Sequence, residues 1–177
     1  MIDTLVAEVR QSLEKECFFS ALMVALTLPD ACGRAEYGDI GSTARYKKWC
    51  QKYVCLHEKP NDAYGYDMPY LSADTVYSLR NVLLHQASVD IDIANIKDER
   101  CKVDEFALVI TDKDDYDSGT VRVSYGKNYE IVDRMQTISV RHLCNILCKA
   151  AEDYYADNRD KFSFIQYKLL DKRMNKM

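Results

Sequence analysis

The stretch "LSADTVYSLRNVLLHQ", residues 71–86, contains three side chains that can act together on a phosphodiester. Arg80 offers a rigid fork of N–H donors that matches a phosphate and stays charged near neutrality. His85 carries an imidazole, which takes or gives a proton in the physiological pH range. Asn81 lies four residues before His85 and can orient the imidazole or a substrate oxygen by hydrogen bonds. Arg, Asn and His without clustered carboxylates indicate phosphodiester cleavage that needs no metal.

The same stretch predicts a helix, with Ser72 as its N-cap and Asp74 in its first turn. Helical spacing places four apolar residues on a core face: Val76, Leu79, Leu83 and Ala87. Arg80 and His85 diverge by about 140° around this helix, so we expect one helix to splay them around a cleft. Two copies facing each other would then bring both pairs to a shared pocket. The alternative is a polar helix end, in which Arg80 pairs with Asp74 or a neighbouring helix and His85 favours the C-terminal dipole.

The segment "RNVLLH" resembles the R-polar-x-x-x-H motif of the HEPN superfamily, small all-helical proteins common in prokaryotic toxin and defence systems. Arg80, Asn81 and His85 match its arginine, polar residue and histidine. The resemblance implies a metal-independent endoribonuclease with a composite site at a homodimer interface. In such a site the RNA 2′-hydroxyl attacks the adjacent phosphate and leaves a 2′,3′-cyclic phosphate. His85 would move protons, Arg80 would hold the scissile phosphate, and Asn81 would position them.

Two further implications follow from the resemblance. A subgroup of these toxins has a tyrosine two residues after the histidine, which a partner nucleotidyltransferase modifies; here that position is Ala87, so this regulation is not predicted. Many HEPN-like proteins are non-catalytic, and the alternative function is a module that binds RNA, a nucleotide or a protein partner.

The 177-residue sequence as a whole predicts a single, mainly α domain that spans residues 1–177. The predicted helices cover residues 3–28, 43–56, 71–86 and 137–158, with Pro29 ending or kinking the first. The β-branched segments "EFALVITD" and "GTVRVSYG", joined by the polar "KDDYDS", predict a β-hairpin at about residues 104–126. The expected fold is a HEPN-like helical bundle with this hairpin inserted between its third and fourth helices.

The second predicted helix, "TARYKKWCQKYVCL", alternates basic and aromatic residues. Its cations are predicted to bind an RNA strand through phosphate contacts, with the aromatics stacking on bases: Arg45, Lys47, Lys48 and Lys52. The alternative is an amphipathic helix with aromatics in the core and solvated lysines. Just before it, "PDACGRAE" places Asp30, Arg34 and Glu36 past the Pro29 break, where one of them could face His85 or all could be surface charges.

Composition limits the remaining possibilities. The net charge of −4 argues against a non-specific nucleic-acid binder but not against an enzyme with a local basic patch. The 7 cysteines are scattered and the first residues lack an apolar leader, which predicts reduced thiols in a cytoplasmic protein. The longest apolar run, residues 17–28, is too short for a bilayer, so no membrane partner is predicted.

Neither a metal site nor a cofactor is predicted. The groups Cys50–Cys55–His57 and His142–Cys144–Cys148 lack the paired two-residue spacing of structural zinc, and no glycine-rich phosphate loop is present. The predicted partners are RNA, a second copy of the chain, and an antitoxin or regulatory protein.

Overall fold

A computed structural model describes residues 1–58, 71–97, 101–111, 119–128 and 130–165. The α-helices of these residues are α1 Ile2–Glu14, α2 Phe18–Ala25, α3 Leu28–Tyr37, α4 Ser42–Tyr53, α5 Ala73–Gln86 and α6 Val140–Asp157. The strands are β1 Glu105–Val109, β2 Gly119–Tyr125 and β3 Ile131–Ser139. One-turn 3₁₀ helices cover Cys55–His57, Ile93–Asn95 and Arg159–Phe162. The protein is therefore mainly α with a small three-stranded sheet. Within the described ranges, no helix has both the length and the apolar character needed to cross a membrane.

The predicted helix over residues 3–28 is wrong, because the chain turns at residues 15–17 and forms two helices. Glu16 adopts a left-handed conformation with φ of 57°, which a continuous helix cannot contain. The turn lets α1 and α2 pack against each other and bury residues such as Val9 and Leu22 in one core. Pro29 lies in the first turn of α3, where its missing N–H costs no hydrogen bond, so it begins a helix rather than ending one.

Helices α3 and α4 pack closely because Gly33 has no side chain. A Cβ atom at Gly33 would lie 2.9 Å from the backbone oxygen of Arg45, closer than any stable contact. Tyr46 and Trp49 on α4 are fully buried in the core that these helices share with α6. The close α3–α4 contact therefore fixes α4 next to α5, which carries the candidate site.

Helix α5 begins as predicted but ends one residue earlier than its apolar pattern suggests. Ser72 is its N-cap and accepts a hydrogen bond from the Thr75 N–H, which confirms the predicted cap. Three of the four predicted core residues are buried: Val76, Leu79 and Leu83. The fourth prediction is wrong, since Ala87 is exposed and ends the helix with φ of 51°.

The predicted β-hairpin over residues 104–126 is also wrong, because β1 and β2 are not neighbours. The strand order is β1-β3-β2, with β1 parallel and β2 antiparallel to β3. Residues 137–139, expected in the last helix, instead end β3, and Ser139 then caps α6 by accepting from the His142 N–H. Gln136 and Ile138 are buried in β3, so its end is part of the core. The whole predicted hairpin loop, residues 113–118, lies outside the described residues.

Candidate functional site

The C-terminal half of α5 brings Arg80, Asn81 and His85 into direct contact. The Nη1 atom of Arg80 lies 3.1 Å from Asn81 Oδ1 and 3.3 Å from His85 Nε2. The expectation that one helix splays Arg80 and His85 around a cleft is therefore wrong. The angle between their Cα positions is large, but the long arginine side chain runs along the helix surface and reaches the imidazole. One copy of the chain thus assembles all three predicted residues.

Asp30, in the first turn of α3, holds the other side of the Arg80 guanidinium. Its Oδ2 atom accepts hydrogen bonds from Arg80 Nε at 3.2 Å and Nη2 at 3.0 Å. Of the three charged residues after the Pro29 break, Asp30 is thus the one that reaches the cluster, through Arg80 rather than His85. Four of the five N–H groups of Arg80 are committed to these contacts, so the guanidinium is held in one orientation.

The contact between Arg80 and His85 determines which nitrogen of the neutral imidazole carries the proton. An arginine has no acceptor, so His85 Nε2 must accept the hydrogen bond. The proton of the neutral ring then lies on Nδ1, and the Nε2 lone pair points at the guanidinium. The imidazole is exposed, while the side chains of Arg80 and Asp30 keep 22% and 27% of their surface. A solvent-borne ligand can therefore reach the imidazole beside a fixed cation, and it must displace the guanidinium to use the Nε2 lone pair.

Two of the cavities formed by the described residues lie elsewhere, and neither includes Arg80, Asn81 or His85. A cavity of about 670 Å³ lies between the end of α4 and α6, and its lining includes His57, Glu58 and Asn145. A cavity of about 430 Å³ lies between α4 and the first turn of α5. The Arg80–Asn81–His85 cluster lies outside these two cavities, with Arg80 and Asn81 half-buried and His85 exposed.

Three of the four predicted RNA-binding residues line the smaller cavity, which we call the lysine cavity: Lys47, Lys48 and Lys52. Lys47 pairs with Asp74 at 2.7 Å, and Lys52 pairs with Glu36 at 3.2 Å. Arg45 does not line it; its Nη1 atom lies 3.5 Å from the carbonyl oxygen of Gly38, at the end of α3.

The predicted base-stacking role does not hold for two aromatics of α4. Tyr46 and Trp49 are fully buried, and the Tyr46 hydroxyl donates to the carbonyl oxygen of Leu26. A base cannot reach either ring from solvent. This part of α4 follows the alternative interpretation, in which the aromatics belong to the core and the lysines lie at the surface.

Glu36 forms a polar hub that no local sequence pattern indicates. Its carboxylate accepts hydrogen bonds from four side chains of α4, α6 and the final 3₁₀ helix: Lys52, Tyr53, Tyr154 and Lys161. These donors, led by Lys161, lower the pKa of Glu36 to about 2. Burial and the neighbouring carboxylate raise the pKa of Tyr154. The partners lie 16 to 125 residues away along the chain, so only the fold reveals the hub.

Three buried cysteines of the described residues are poor nucleophiles. Burial raises the pKa of the Cys32, Cys144 and Cys148 thiols to about 12, which suppresses the nucleophilic thiolate. The contact between Cys50 and Cys55 is 3.6 Å between sulfurs, a hydrogen bond and not a disulfide. Across the described ranges, no group of three or more His, Cys, Asp and Glu side chains is arranged to hold a metal ion.

Comparisons of this chain with models of known protein families, with curated proteins and with solved structures found no match.

Proposed function

We propose that this chain is a metal-independent endoribonuclease of HEPN type, whose site is Arg80, Asn81 and His85. The observation that carries the proposal is the contact of one guanidinium nitrogen with both Asn81 and His85. It places a fixed cation and a basic imidazole nitrogen side by side at an exposed helix end. These are the two groups that cleavage of RNA by its own 2′-hydroxyl requires.

The proposed reaction uses each group at a stated atom. When a strand binds, the hydrogen bond from Arg80 Nη1 to His85 Nε2 opens, and the freed Nε2 removes the proton of the 2′-hydroxyl, whose oxygen attacks the adjacent phosphorus. The bond from phosphorus to the 5′-oxygen breaks, and that oxygen takes up a proton as it leaves. Arg80 donates to the phosphate oxygens on which negative charge increases, and Asn81 keeps the guanidinium in place. The products are a 2′,3′-cyclic phosphate and a 5′-hydroxyl.

A second copy of the chain would complete the site. In one copy the cluster lies outside both described cavities and His85 is exposed, so water reaches a strand bound there. A facing copy would enclose the strand and add its own Arg80 and His85, one acting as base while the other protonates the leaving oxygen. We therefore propose a homodimer, and a role in a toxin or antiphage system in which an antitoxin or regulatory protein restrains it.

The contact with Asp30 favours one rival function. A carboxylate that holds Arg80 through two nitrogens already compensates the guanidinium charge, as a purely structural ion pair would. In that case the chain is a non-catalytic HEPN-like module that binds RNA, a nucleotide or a protein partner. The two functions differ in whether RNA is cut.

Product chemistry tests the proposal. Purified protein is incubated in EDTA with a fluorescent single-stranded RNA and with the same strand carrying 2′-O-methyl groups throughout. The proposal predicts cleavage of the first strand only, with 2′,3′-cyclic phosphate ends. Cleavage of the methylated strand, or ends that require attack by water, would refute the mechanism, and intact RNA in all conditions would favour the non-catalytic module.

A further inference from the structure

The lysine cavity concentrates positive charge in a chain that is acidic overall. Among the described residues, three lysines line it against one carboxylate, Asp74, while the whole chain has a net charge of −4. The first turn of α5 also lines the cavity, and the N-terminal end of a helix carries partial positive charge. A ligand that carries both a negative charge and an apolar surface therefore suits this cavity.

Two of the three ammonium groups, those of Lys48 and Lys52, are not fully used by their protein partners, whereas Lys47 is paired with Asp74. Lys48 is exposed and lies 5.8 Å from the Tyr37 ring, and it contacts no carboxylate in the part of the chain that the structure describes. Lys52 shares the carboxylate of Glu36 with Lys161, so that single negative charge already has another cation. A phosphate entering the cavity would meet cations whose charge is only partly compensated.

One face of α5 connects the lysine cavity to the Arg80–Asn81–His85 cluster. Asp74, Tyr77 and Asn81 lie three and four residues apart, so they follow each other along the helix surface. The Lys47 ammonium stands 5.2 Å from the Tyr77 ring, at the cavity end of this face. Along the helix axis, Asn81 lies about 10 Å and His85 about 16 Å from Asp74. These distances correspond to about three to five stacked nucleotides.

The cavity also offers an aromatic surface. Tyr37 lines it and is half-buried. Burial raises the pKa of Tyr37, so its phenol stays neutral at physiological pH. Proteins that bind single-stranded nucleic acids use such an aromatic ring to stack on a base and the neighbouring cations to contact phosphates.

We propose that the lysine cavity is a subsite for the RNA backbone, about three to five nucleotides from the bond cut at Arg80, Asn81 and His85. This inference rests on the proposed ribonuclease function and specifies its substrate. The substrate is a single strand long enough to reach from the cluster to the cavity, since a dinucleotide fills only the cluster. Lys47 and Lys48 contact phosphates, and Tyr37 stacks on a base.

Salt-dependent binding tests the subsite independently of cleavage. Fluorescence anisotropy with a labelled hexaribonucleotide is measured at increasing salt, on a His85→Ala background that leaves the strand intact. The double variant Lys47→Gln, Lys48→Gln is expected to reduce the slope of log Kd against log salt by about 1.4, or about 0.7 per lost phosphate contact. Lys149→Gln, at an exposed position of α6, is the matched control and should leave the slope unchanged.

Strand length provides the second readout. The hexanucleotide should bind more tightly than a dinucleotide, and the double variant should lose this advantage without changing dinucleotide binding. Where the double variant unfolds, Lys48→Gln alone should give about half the change in slope. An unchanged slope, or equal losses for both strand lengths, would overturn the subsite even if the wild-type protein cleaves RNA. A reduced slope supports the subsite even if the wild-type protein does not cleave RNA.

Discussion

Glu36→Gln is the substitution whose effect on stability the structure determines best. The carboxylate joins α3 to α4, α6 and the final 3₁₀ helix through four donors, and its side chain keeps only 16% of its surface. An amide of the same shape keeps one neutral acceptor but loses the charge that attracts the two ammonium groups. We expect the packing to persist and the free energy of unfolding to fall.

Two lines of reasoning give similar magnitudes for this loss at pH 7. The pKa of Glu36 is about 2 in the folded protein, against an ordinary value of 4.5. At about 1.4 kcal/mol per pKa unit, this difference corresponds to about 3 kcal/mol. Counted by contacts, the hydrogen bonds from the two tyrosine hydroxyls contribute about 1 kcal/mol each, and the solvent-screened lysines add little. We expect a loss of about 2 to 3 kcal/mol, or roughly 5 to 10 °C in Tm.

The loss must also depend on pH in a defined direction. Because the pKa of Glu36 is lower in the folded state, its contribution is complete above the unfolded value of 4.5. It declines as the pH falls and disappears near pH 2. At pH 3 about 1.4 kcal/mol remains, so the difference between the wild type and the variant should be about half its value at pH 7.

Urea denaturation followed by circular dichroism at pH 7 and pH 3 measures both quantities. Glu152→Gln is the matched control, since Glu152 pairs with Arg10 at the surface, where the side chains keep 30% and 53% of their area. That variant should lose less than about 1 kcal/mol. A loss below 1 kcal/mol for Glu36→Gln at pH 7, or equal losses at both pH values, would refute the reasoning.

The remaining predictions concern the helix contact and the ion pair that position the site. Gly33→Ala should lose about 1 to 3 kcal/mol of unfolding free energy, because the new methyl group meets the Arg45 carbonyl. Gly41→Ala, where nothing lies within 4 Å, should lose far less, and equal Tm values for the two variants would contradict the close packing. Asp30→Asn should lose about 1 kcal/mol and, by leaving Arg80 uncompensated, should tighten RNA binding at low salt; weaker binding in an anisotropy titration would count against this.

The features that could be predicted from the sequence are those that depend on a few consecutive residues. The Ser72 cap and the buried stripe of Val76, Leu79 and Leu83 follow from helical spacing alone. Ala87 is not buried with these residues because α5 ends before it. Ala87 adopts a left-handed conformation, which turns the chain away from the helix.

The pairing of the strands could not be predicted in the same way. The segments β1 and β2 look like a hairpin because they are neighbours along the chain, whereas β3 contributes the buried Gln136 and Ile138 and separates them. Which strand lies in the middle depends on burial against the helices, which no local pattern encodes.

The candidate site could likewise be predicted only in part from the sequence. The residue types and the spacing of Arg80, Asn81 and His85 were visible in the sequence, but their mutual contacts were not. A helical wheel compares Cα directions and ignores the length of an arginine side chain, so it wrongly separated Arg80 from His85. Asp30 contacts Arg80 only because the fold brings α3 near α5, although the two residues are 50 positions apart in the sequence. The sequence offered several charged residues for this contact and did not indicate which one makes it.

Single-turnover cleavage of a single-stranded RNA in EDTA, by wild type and His85→Ala side by side, tests the central claim most directly. His57→Ala is the control, since His57 is the other exposed histidine of the described residues and lies outside the cluster. We expect His85→Ala to lower the cleavage rate by about 10² to 10⁴ and His57→Ala to leave it unchanged. Equal rates for the wild type and His85→Ala would contradict the assignment of the site.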